Sequence, residues 1–389
     1  MKVLLVTDGI FPYVMGGMQK HSYYLGKYLA KAGIQVHLVH CAPGNPSANE
    51  FELPEFASFD QNHISFSRVP EPERGSLPGH YLRESRRYAE DVYARMKGRL
   101  GEFDLIYCQG FTGLGFIQGR KRGEVKIPVV SNLHGYEMYQ RMPSLKARLG
   151  RAPLRSMARE VSLGSDAVFS FGGQITGIQK RIGVAPERIL ECPIGIEERW
   201  IDGVVPTVSG GVRSFVFVGR NERRKGIKEL NTALKELHAD GKDGFLFRMV
   251  GPIPKEEQLK AGNITYHGSL TEEEHVRNVM RSADVLVCPS YAEGMPTVIM
   301  EAMASGLAIL ATDVGAVARQ VDAGNGWLLP APRPELVKAA MEEAIRLPAE
   351  QLLQLKERSL AKARERFTWE RVITCKVNAL EDAIRNFAP

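Results

Sequence analysis

In the stretch AEGMPTVIMEAMASG, residues 292–306, two carboxylates, Glu293 and Glu301, bracket a Gly-Met-Pro turn in an otherwise apolar segment. Carboxylates accept hydrogen bonds from paired hydroxyls, and the free N–H groups of a helix start favour an anion. A sugar joined to a phosphate asks for that combination. Solvated acids near a helix start are the bland alternative, which explains Glu301 poorly because Met300, Ala302 and Met303 surround it. Further groups stand just after apolar runs. Arg220 follows SFVFVG and Lys225 precedes Gly226-Ile227, so two cations are offered to one ligand, Arg as a fork for phosphate oxygens and Lys as a point charge. Arg223 and Arg224 between them read as solvated. His134 follows PVVSNL, while His21, His37, His40, His80, His238 and His275 have no such placement. Gly16 and Gly17 close the loop after KVLLVT and precede a helical stretch, where backbone amides can meet a phosphate or merely make a turn.

These residues need elements to hold them. Short apolar runs (KVLLVT, IQVHLVH, DLIYCQ, IPVVSNL, DAVFSF) alternate with helix-length segments to about residue 170. A second series, SFVFVGR, FLFRMVG, NITYHG, ADVLVCPS and LAILATD, follows a Gly-, Pro-, Val- and Ser-rich stretch near 199–212 that reads as a linker. Continuously apolar strands alternating with helices imply parallel sheets covered on both faces. The expectation is two doubly wound α/β domains, with a final helical segment from about Thr368. In such sheets ligands sit beyond the carboxyl ends of the strands, where the candidates fall. Pro296 suits a first helical turn and Ser305-Gly306 ends the helix, leaving Glu293 in the loop and Glu301 on the helix.

The composition is that of an ordinary soluble protein: 389 residues, 44% hydrophobic, 25% charged, with 51 Lys and Arg against 45 acids. The mild positive charge favours anionic ligands without requiring nucleic acid. Five scattered cysteines without a C-x-x-C pair argue against a zinc knuckle or a disulfide framework and favour a reducing cytosol. The start, MKVLLVTDGIF, lacks a small-residue cleavage site, and no run reaches about 18 apolar residues. The expectation is a protein neither exported nor membrane-spanning.

Taken in order, Gly16-Gly17, NLHGYE, VGRNERRKG, RMVGP, YHGSLTEEE, ADVLVCPSYAEGMP, TDVG, GNGWLL and FTWERV resemble the retaining glycosyltransferases of family 4, whose signature pairs two glutamates across seven residues. The resemblance spans essentially the whole chain. It implies a GT-B fold, two Rossmann-like doubly wound parallel-sheet domains facing across a cleft. Residues 1–198 would form the acceptor-side domain, 212–367 the nucleotide-sugar domain, and 368–389 a helix crossing back to the first. It further implies that Glu301 holds ribose hydroxyls, that Glu293 binds the transferred sugar, and that Arg220 and Lys225 neutralise the diphosphate without a divalent metal or other cofactor. His134 would lie near the reacting sugar, giving Glu293, His134, Arg220 and Lys225 as the catalytic set. Gly16, Gly17, Gly251, Gly294, Met295, Pro296 and Thr297 would complete the donor site. Glu293 reads as a sugar ligand and electrostatic stabiliser rather than a nucleophile.

The chain departs from the family pattern at Ala316, Ala318 and Arg319 in VGAVARQV and at Ile194-Gly195, which puts donor preference rather than reaction class in question. Its acceptor, a glycan, lipid-linked or small-molecule hydroxyl, is poorly encoded. The segment 141–160 carries Arg141, Lys146, Arg148, Arg151, Arg155 and Arg159 against Glu160 alone, either a solvated basic region or a face for anionic lipid at the cytoplasmic side of the cell membrane. Two other readings remain open on sequence grounds, a nucleotide-sugar-binding protein without catalysis and a two-domain NAD oxidoreductase. The latter is disfavoured by the absence of G-x-G-x-x-G and of an acid after the second strand.

Overall fold

The computed structural model describes the chain except residues 43–48, 73–78, 209–210, 243 and 389. Positions 209–210 of the expected linker and the last residue of the expected final segment thus lie outside the described residues. The rest divides into two compact units: Met1–Tyr139, Arg148–Gly195 and Glu370–Pro389 form unit 1, and Gln140–Ala147 with Ile196–Trp369 form unit 2.

Unit 1 carries strands β1 (Lys2–Val6), β2 (Gln35–Cys41), β3 (Ile64–Val69), β4 (Leu105–Gln109), β5 (Val129–Asn132), β6 (Ala167–Ser170) and β7 (Ile189–Glu191). They make one parallel sheet in the order β3-β2-β1-β4-β5-β6-β7. Helices α1 (Gly17–Lys31), α2 (His80–Met96), α3 (Leu114–Lys121), α4 (Leu145–Arg151), α5 (Leu154–Gly164) and α6 (Gln174–Ile182) intervene, with α4 running across the division between units. Strands such as β4 are buried along their whole length because helices cover both faces, the reason their sequences run apolar without alternation. One face is cored by Leu4, Val6, Ile106, Phe116 and Val161 among others.

Unit 2 repeats the plan with β8 (Arg213–Val218), β9 (Phe245–Val250), β10 (Ile264–Gly268), β11 (Val285–Cys288), β12 (Ala308–Thr312) and β13 (Gly326–Leu329), parallel in the order β10-β9-β8-β11-β12-β13. Its helices are α7 (Ile227–Ala239), α8 (Glu273–Arg281), α9 (Thr297–Ala304), α10 (Val317–Gln320), α11 (Pro334–Arg346) and α12 (Ala349–Arg366). The last helix, α13 (Trp369–Arg385), belongs to unit 1 from Glu370 onward. A buried ion pair ties the unit 2 sheet to α12: Lys356 Nζ meets Asp284 Oδ1 at 3.0 Å, and Ser214 donates its backbone N–H to Asp284 Oδ2 at 3.0 Å.

One expectation is overturned. Cys192, just after β7, and Cys375, on α13, form a disulfide within unit 1. Their separation of 183 residues leaves no local spacing to read, and folding alone brings the Cα atoms to 6.1 Å. The argument from cysteine usage for a reducing compartment falls with it. Cys41, Cys108 and Cys288 are free and buried. No helix among the described residues is long and apolar enough to cross a membrane.

Candidate functional site

The carboxyl edge of the unit 2 sheet is built from two loops. After β8 the chain passes Gly219 and Arg220 into a 3-10 turn, Arg223–Lys225, and enters α7 through Gly226 at φ 73°, a left-handed conformation suited to glycine. A Cβ there would lie 1.9 Å from the Pro289 carbonyl oxygen, so this loop presses against the one after β11. That second loop leads through Glu293 and Gly294 to Pro296 at the N-cap of α9, with Thr297 opening the helix. Gly315, also left-handed, lets a third loop close on it: a Cβ would stand 2.1 Å from the Glu293 carbonyl oxygen, and the Ala316 N–H donates to Gly294 O at 2.7 Å. That hold is made by backbone, so the departure at Ala316 leaves it intact.

Glu293 is 6% exposed and heavily engaged. Lys225 Nζ donates to its Oε1 at 2.7 Å, Ser290 Oγ to the same oxygen at 2.7 Å, and Arg224 approaches Oε2 at 3.4 Å. Gln140 Nε2 donates to the Glu293 carbonyl at 2.5 Å and its Oε1 accepts the Glu293 N–H at 3.3 Å. Burial would raise the Glu293 carboxyl, but Lys225 and then Arg224 outweigh it and hold it below the usual carboxylate range. Burial likewise works against charge on Lys225, yet the adjoining Glu293 keeps it above its ordinary value. The site therefore holds an ionised pair, and Lys225, with three N–H donors, retains donors for a further anion.

The reading of Arg223 and Arg224 as solvated is corrected. Arg224 is 15% exposed at its side chain and bonds Glu222 at 2.7 Å, while Arg223 forks onto Glu229 at 2.5 and 2.7 Å. Arg220 is the exposed one, 65% accessible and 2.9 Å from Glu222. Glu301 is half-buried on α9 between buried Met300 and Ala302. Met295 is buried. Gly251, at φ 143°, comes so close to Gly219 that a Cβ would meet its carbonyl oxygen at 1.9 Å, which ties the ends of β9 and β8 together.

His134 belongs to unit 1, after β5. Its backbone is left-handed at φ 60°, and its N–H donates to Asn132 Oδ1 at 3.0 Å. Register pairs Gln109 with Asn132, which brings Gln109 Oε1 to 2.8 Å from His134 Nε2. A carbonyl oxygen only accepts, so Nε2 carries the proton and Nδ1 keeps its lone pair. Burial first, and the Lys376 cation second, push His134 down to about 3, so the ring is neutral. His21 on α1 packs edge-on at 5.1 Å between ring centres, and Lys376 on α13 lies 4.5 Å over the Phe169 ring. Lys376 is fully buried, its Nζ has no hydrogen-bond partner among the described residues, and burial lowers it to about 7. Gly16 caps α1 in an extended conformation, and among the described residues, apart from its chain neighbours and its own helix backbone, nothing lies within 4 Å of where a Gly17 Cβ would stand.

Sequence reasoning missed several of these groups. Asp8 follows β1 directly, the same signal that singled out His134. Gln109 ends β4 and could have been found in that way, whereas Gln140, His21 and Lys376 carry no local signal. Among the described residues no group of three or more His, Cys, Asp or Glu is placed to hold a metal ion.

Two parallel-sheet Rossmann-like units with candidate residues at their carboxyl edges define the GT-B glycosyltransferases. Residues 15–199 match the family described as Glycosyltransferase Family 4, and residues 212–346 match Glycosyl transferases group 1. The chain belongs to this glycosyltransferase family. It is 28% identical over 295 residues to TuaC of Bacillus subtilis (strain 168), a glycosyltransferase named for teichuronic acid biosynthesis, covering 73% of this chain and 72% of that one. It is 27% identical over 365 residues to a phosphatidyl-myo-inositol mannosyltransferase of Mycolicibacterium smegmatis, covering 85% and 82%. The fold matches Anabaena HepE in complex with UDP-glucose with a TM-score of 0.69 at 16% identity, over 98% of this chain and 100% of that one. The oxidoreductase and non-catalytic readings give way to a glycosyltransferase, and β2 ends without the acid a dinucleotide ribose would use.

Proposed function

We propose that the chain is a retaining, metal-independent glycosyltransferase that moves a hexosyl group from a UDP- or GDP-sugar to a hydroxyl of a glycan, a lipid-linked glycan or a small molecule. The observation that carries this is the Lys225–Glu293 pair at the carboxyl edge of the unit 2 sheet, with Arg224 and Arg220 beside it. Fixed cations there meet a diphosphate, and the carboxylates Glu293 and Glu301 accept hydroxyls of the sugar and the ribose. In the reaction the bond from anomeric carbon to phosphate oxygen breaks and its electron pair stays on the diphosphate. The acceptor oxygen bonds that carbon from the same face, and its proton passes to the departing phosphate oxygen. Charge grows on the phosphate, where Lys225 and Arg220 act, and one such preorganised donor contributes about 10²–10³-fold in turnover. His134, neutral with Nδ1 accepting, fits a hydroxyl donor rather than a proton to be released.

The test is thermal stability in excess EDTA against UDP, GDP, ADP and NAD, followed by turnover of Glu301→Ala and Arg220→Ala. A ligand at about 100 times its Kd adds roughly 2.7 kcal/mol, a shift of several degrees. A shift with UDP or GDP and lowered turnover in both variants is expected. A shift with NAD alone, or unchanged turnover in both variants, overturns the reading.

We place the protein at the cytoplasmic side, in peripheral contact with anionic membrane. Supporting this, α4 exposes Leu145 and Leu149 at 69% and 64%, and Arg141, Lys146, Arg148 and Arg159 are exposed in the same segment. Arg151 and Arg155 are engaged instead with Glu137 and with the Met138 carbonyl. Flotation with vesicles of anionic and of neutral lipid checks it; no binding to anionic vesicles at low salt removes the idea.

A further inference from the structure

Arg220, Arg223, Arg224 and Lys225 crowd four cations into six positions after β8. Like charges so close repel one another and compete for the same anion unless each has its own partner. Unit 2 supplies the partners. Glu222 takes Arg220 at 2.9 Å and Arg224 at 2.7 Å, Glu229 takes Arg223 at 2.5 Å, and Glu293 takes Lys225 at 2.7 Å. Arg223 is thereby engaged by α7, and Lys225 is the cation of this turn that meets the Glu293 carboxylate more closely, at 2.7 Å against 3.4 Å for Arg224.

The Arg223 partnership reaches further than one ion pair. Nη1 donates to Glu229 Oε2 at 2.7 Å and Nη2 to Oε1 at 2.5 Å, a fork that fixes the guanidinium plane. Glu229 lies in the first turn of α7, where the helix start favours a carboxylate. Tyr291, on the loop after β11, donates its hydroxyl to the same Oε1 at 2.8 Å, and the Arg223 guanidinium stands 5.2 Å over its ring. Burial first, and the Glu229 hydrogen bond second, raise the Tyr291 phenol, so the hydroxyl keeps its proton and can donate. The Tyr291 N–H also donates to the Arg224 carbonyl at 2.7 Å. Both loops have left the sheet, where pairing of β8 with β11 no longer sets their spacing. Lys225 stands two residues after Arg223 and Glu293 two residues after Tyr291, so the network joins the loops beside the pair they carry.

We propose that Arg223, Glu229 and Tyr291 are positioning residues for the nucleotide-sugar site: they set the spacing between the two loops, and with it the place of the Lys225 ammonium against a nucleoside diphosphate. This rests on the reading that unit 2 binds the donor through Lys225. A fixed cation stabilises a phosphate at hydrogen-bond distance, and a misplacement of about 1 Å removes much of that effect. The three residues act on the ligand through Lys225, so their contribution exists only while Lys225 is present.

A double-mutant cycle on the full chain tests this, read as UDP and GDP affinity in excess EDTA by ligand-observed NMR, which follows binding into the millimolar range. Tyr291→Phe keeps the ring under Arg223 and removes a single hydrogen bond, and Glu229→Gln keeps the shape while dissolving the charged fork. In the parent chain Tyr291→Phe is expected to weaken nucleotide binding about three- to tenfold, the scale of one hydrogen bond, and Glu229→Gln to weaken it more. In a Lys225→Met background each change is expected to alter affinity by less than about twofold. A role in the fold alone gives equal losses in both backgrounds. Equal losses, or affinity unchanged by Tyr291→Phe in the parent chain, overturn the proposal; should Glu229→Gln fail to fold, Tyr291→Phe carries the cycle alone. The failures are separable. Where Lys225→Met weakens binding and the cycle is additive, only the positioning role falls, whereas a parent chain that binds neither nucleotide, or an unaffected Lys225→Met, removes the nucleotide-sugar reading and the proposal with it.

Discussion

Lys225, on the loop after β8, donates to Glu293, on the loop after β11, at 2.7 Å, so the cation and the carboxylate that the site offers a donor are held to each other. The pair, with Arg224 beside it, keeps both groups charged against the cost of burial. Lys225→Met is expected to lower turnover by about 10²–10³-fold, since a fixed donor to the leaving phosphate is lost. It also costs about 1–3 kcal/mol of stability by leaving Glu293 short of a partner. Urea unfolding and a UDP-release assay read the two effects separately, and unaltered turnover would show that Lys225 serves the fold alone.

The same pair sets a pH dependence. Glu293 is depressed in the folded state, so its contribution is present above the ordinary carboxylate pKa and is lost as pH falls through the lower folded value. The stability difference between the parent chain and Glu293→Gln should therefore be largest near pH 7 and shrink below about pH 4.3, the ordinary Glu value. Urea midpoints across that window check it.

Lys376 predicts the opposite slope. Its folded pKa, about 7, lies below the ordinary Lys value of roughly 10.4, so the unfolded chain binds more protons between them and unit 1 gains stability as pH rises through that interval. Lys376→Met should stabilise unit 1 at pH 6 by an amount on the order of 1–3 kcal/mol, as hydrophobic replacement of a buried charge does. It should also raise the pKa of His134, because the Lys376 charge is the second cause of its depression. Histidine titration by NMR reads that shift, which a purely structural lysine would not produce.

Asp284 and Lys356 are 1% and 4% exposed at their side chains. Removing the lysine alone strands a charge in the core of unit 2, so Lys356→Met should cost about 3–5 kcal/mol. The double variant Asp284→Asn with Lys356→Met should recover much of that. A double variant no better than the single would deny the coupling.

Gly251→Ala tests the donor edge. The new Cβ would overlap the Gly219 carbonyl, and φ 143° is closed to an L side chain, so the ends of β8 and β9 must part. Weakened UDP binding in excess EDTA is expected by calorimetry; UDP affinity equal to that of the parent chain would show that this edge does not serve the donor.

The alternation of apolar strands with helical segments was readable from end to end, because backbone pairing and burial on both faces impose that pattern within a few residues. Glu293, Arg220 and His134 were readable as candidates for a related reason: each follows an apolar run, and a parallel sheet presents the residues after its strands at one edge, while Lys225 was readable from its place before the Gly226-Ile227 that opens the next helix. The solvated reading of Arg224 failed because the loop it sits on packs against the one after β11: beside its local pair with Glu222 it meets Glu293, 69 residues away.

What the amino-acid order determined by itself was local: which segments form strands or helices, where glycine permits a turn, and which charged residues stand at strand ends. The tertiary structure decided who meets whom. It joined Cys192 to Cys375, set Lys376 on the last helix near His134, paired Lys225 with Glu293, and gathered Asp8, Glu71 and Glu84 around one cavity. The physical reason is that secondary structure follows from periodicity over a few residues, whereas a charge pair, a disulfide or a pocket depends on strand order and on which helix covers which face, and neither is written in any short window of the chain.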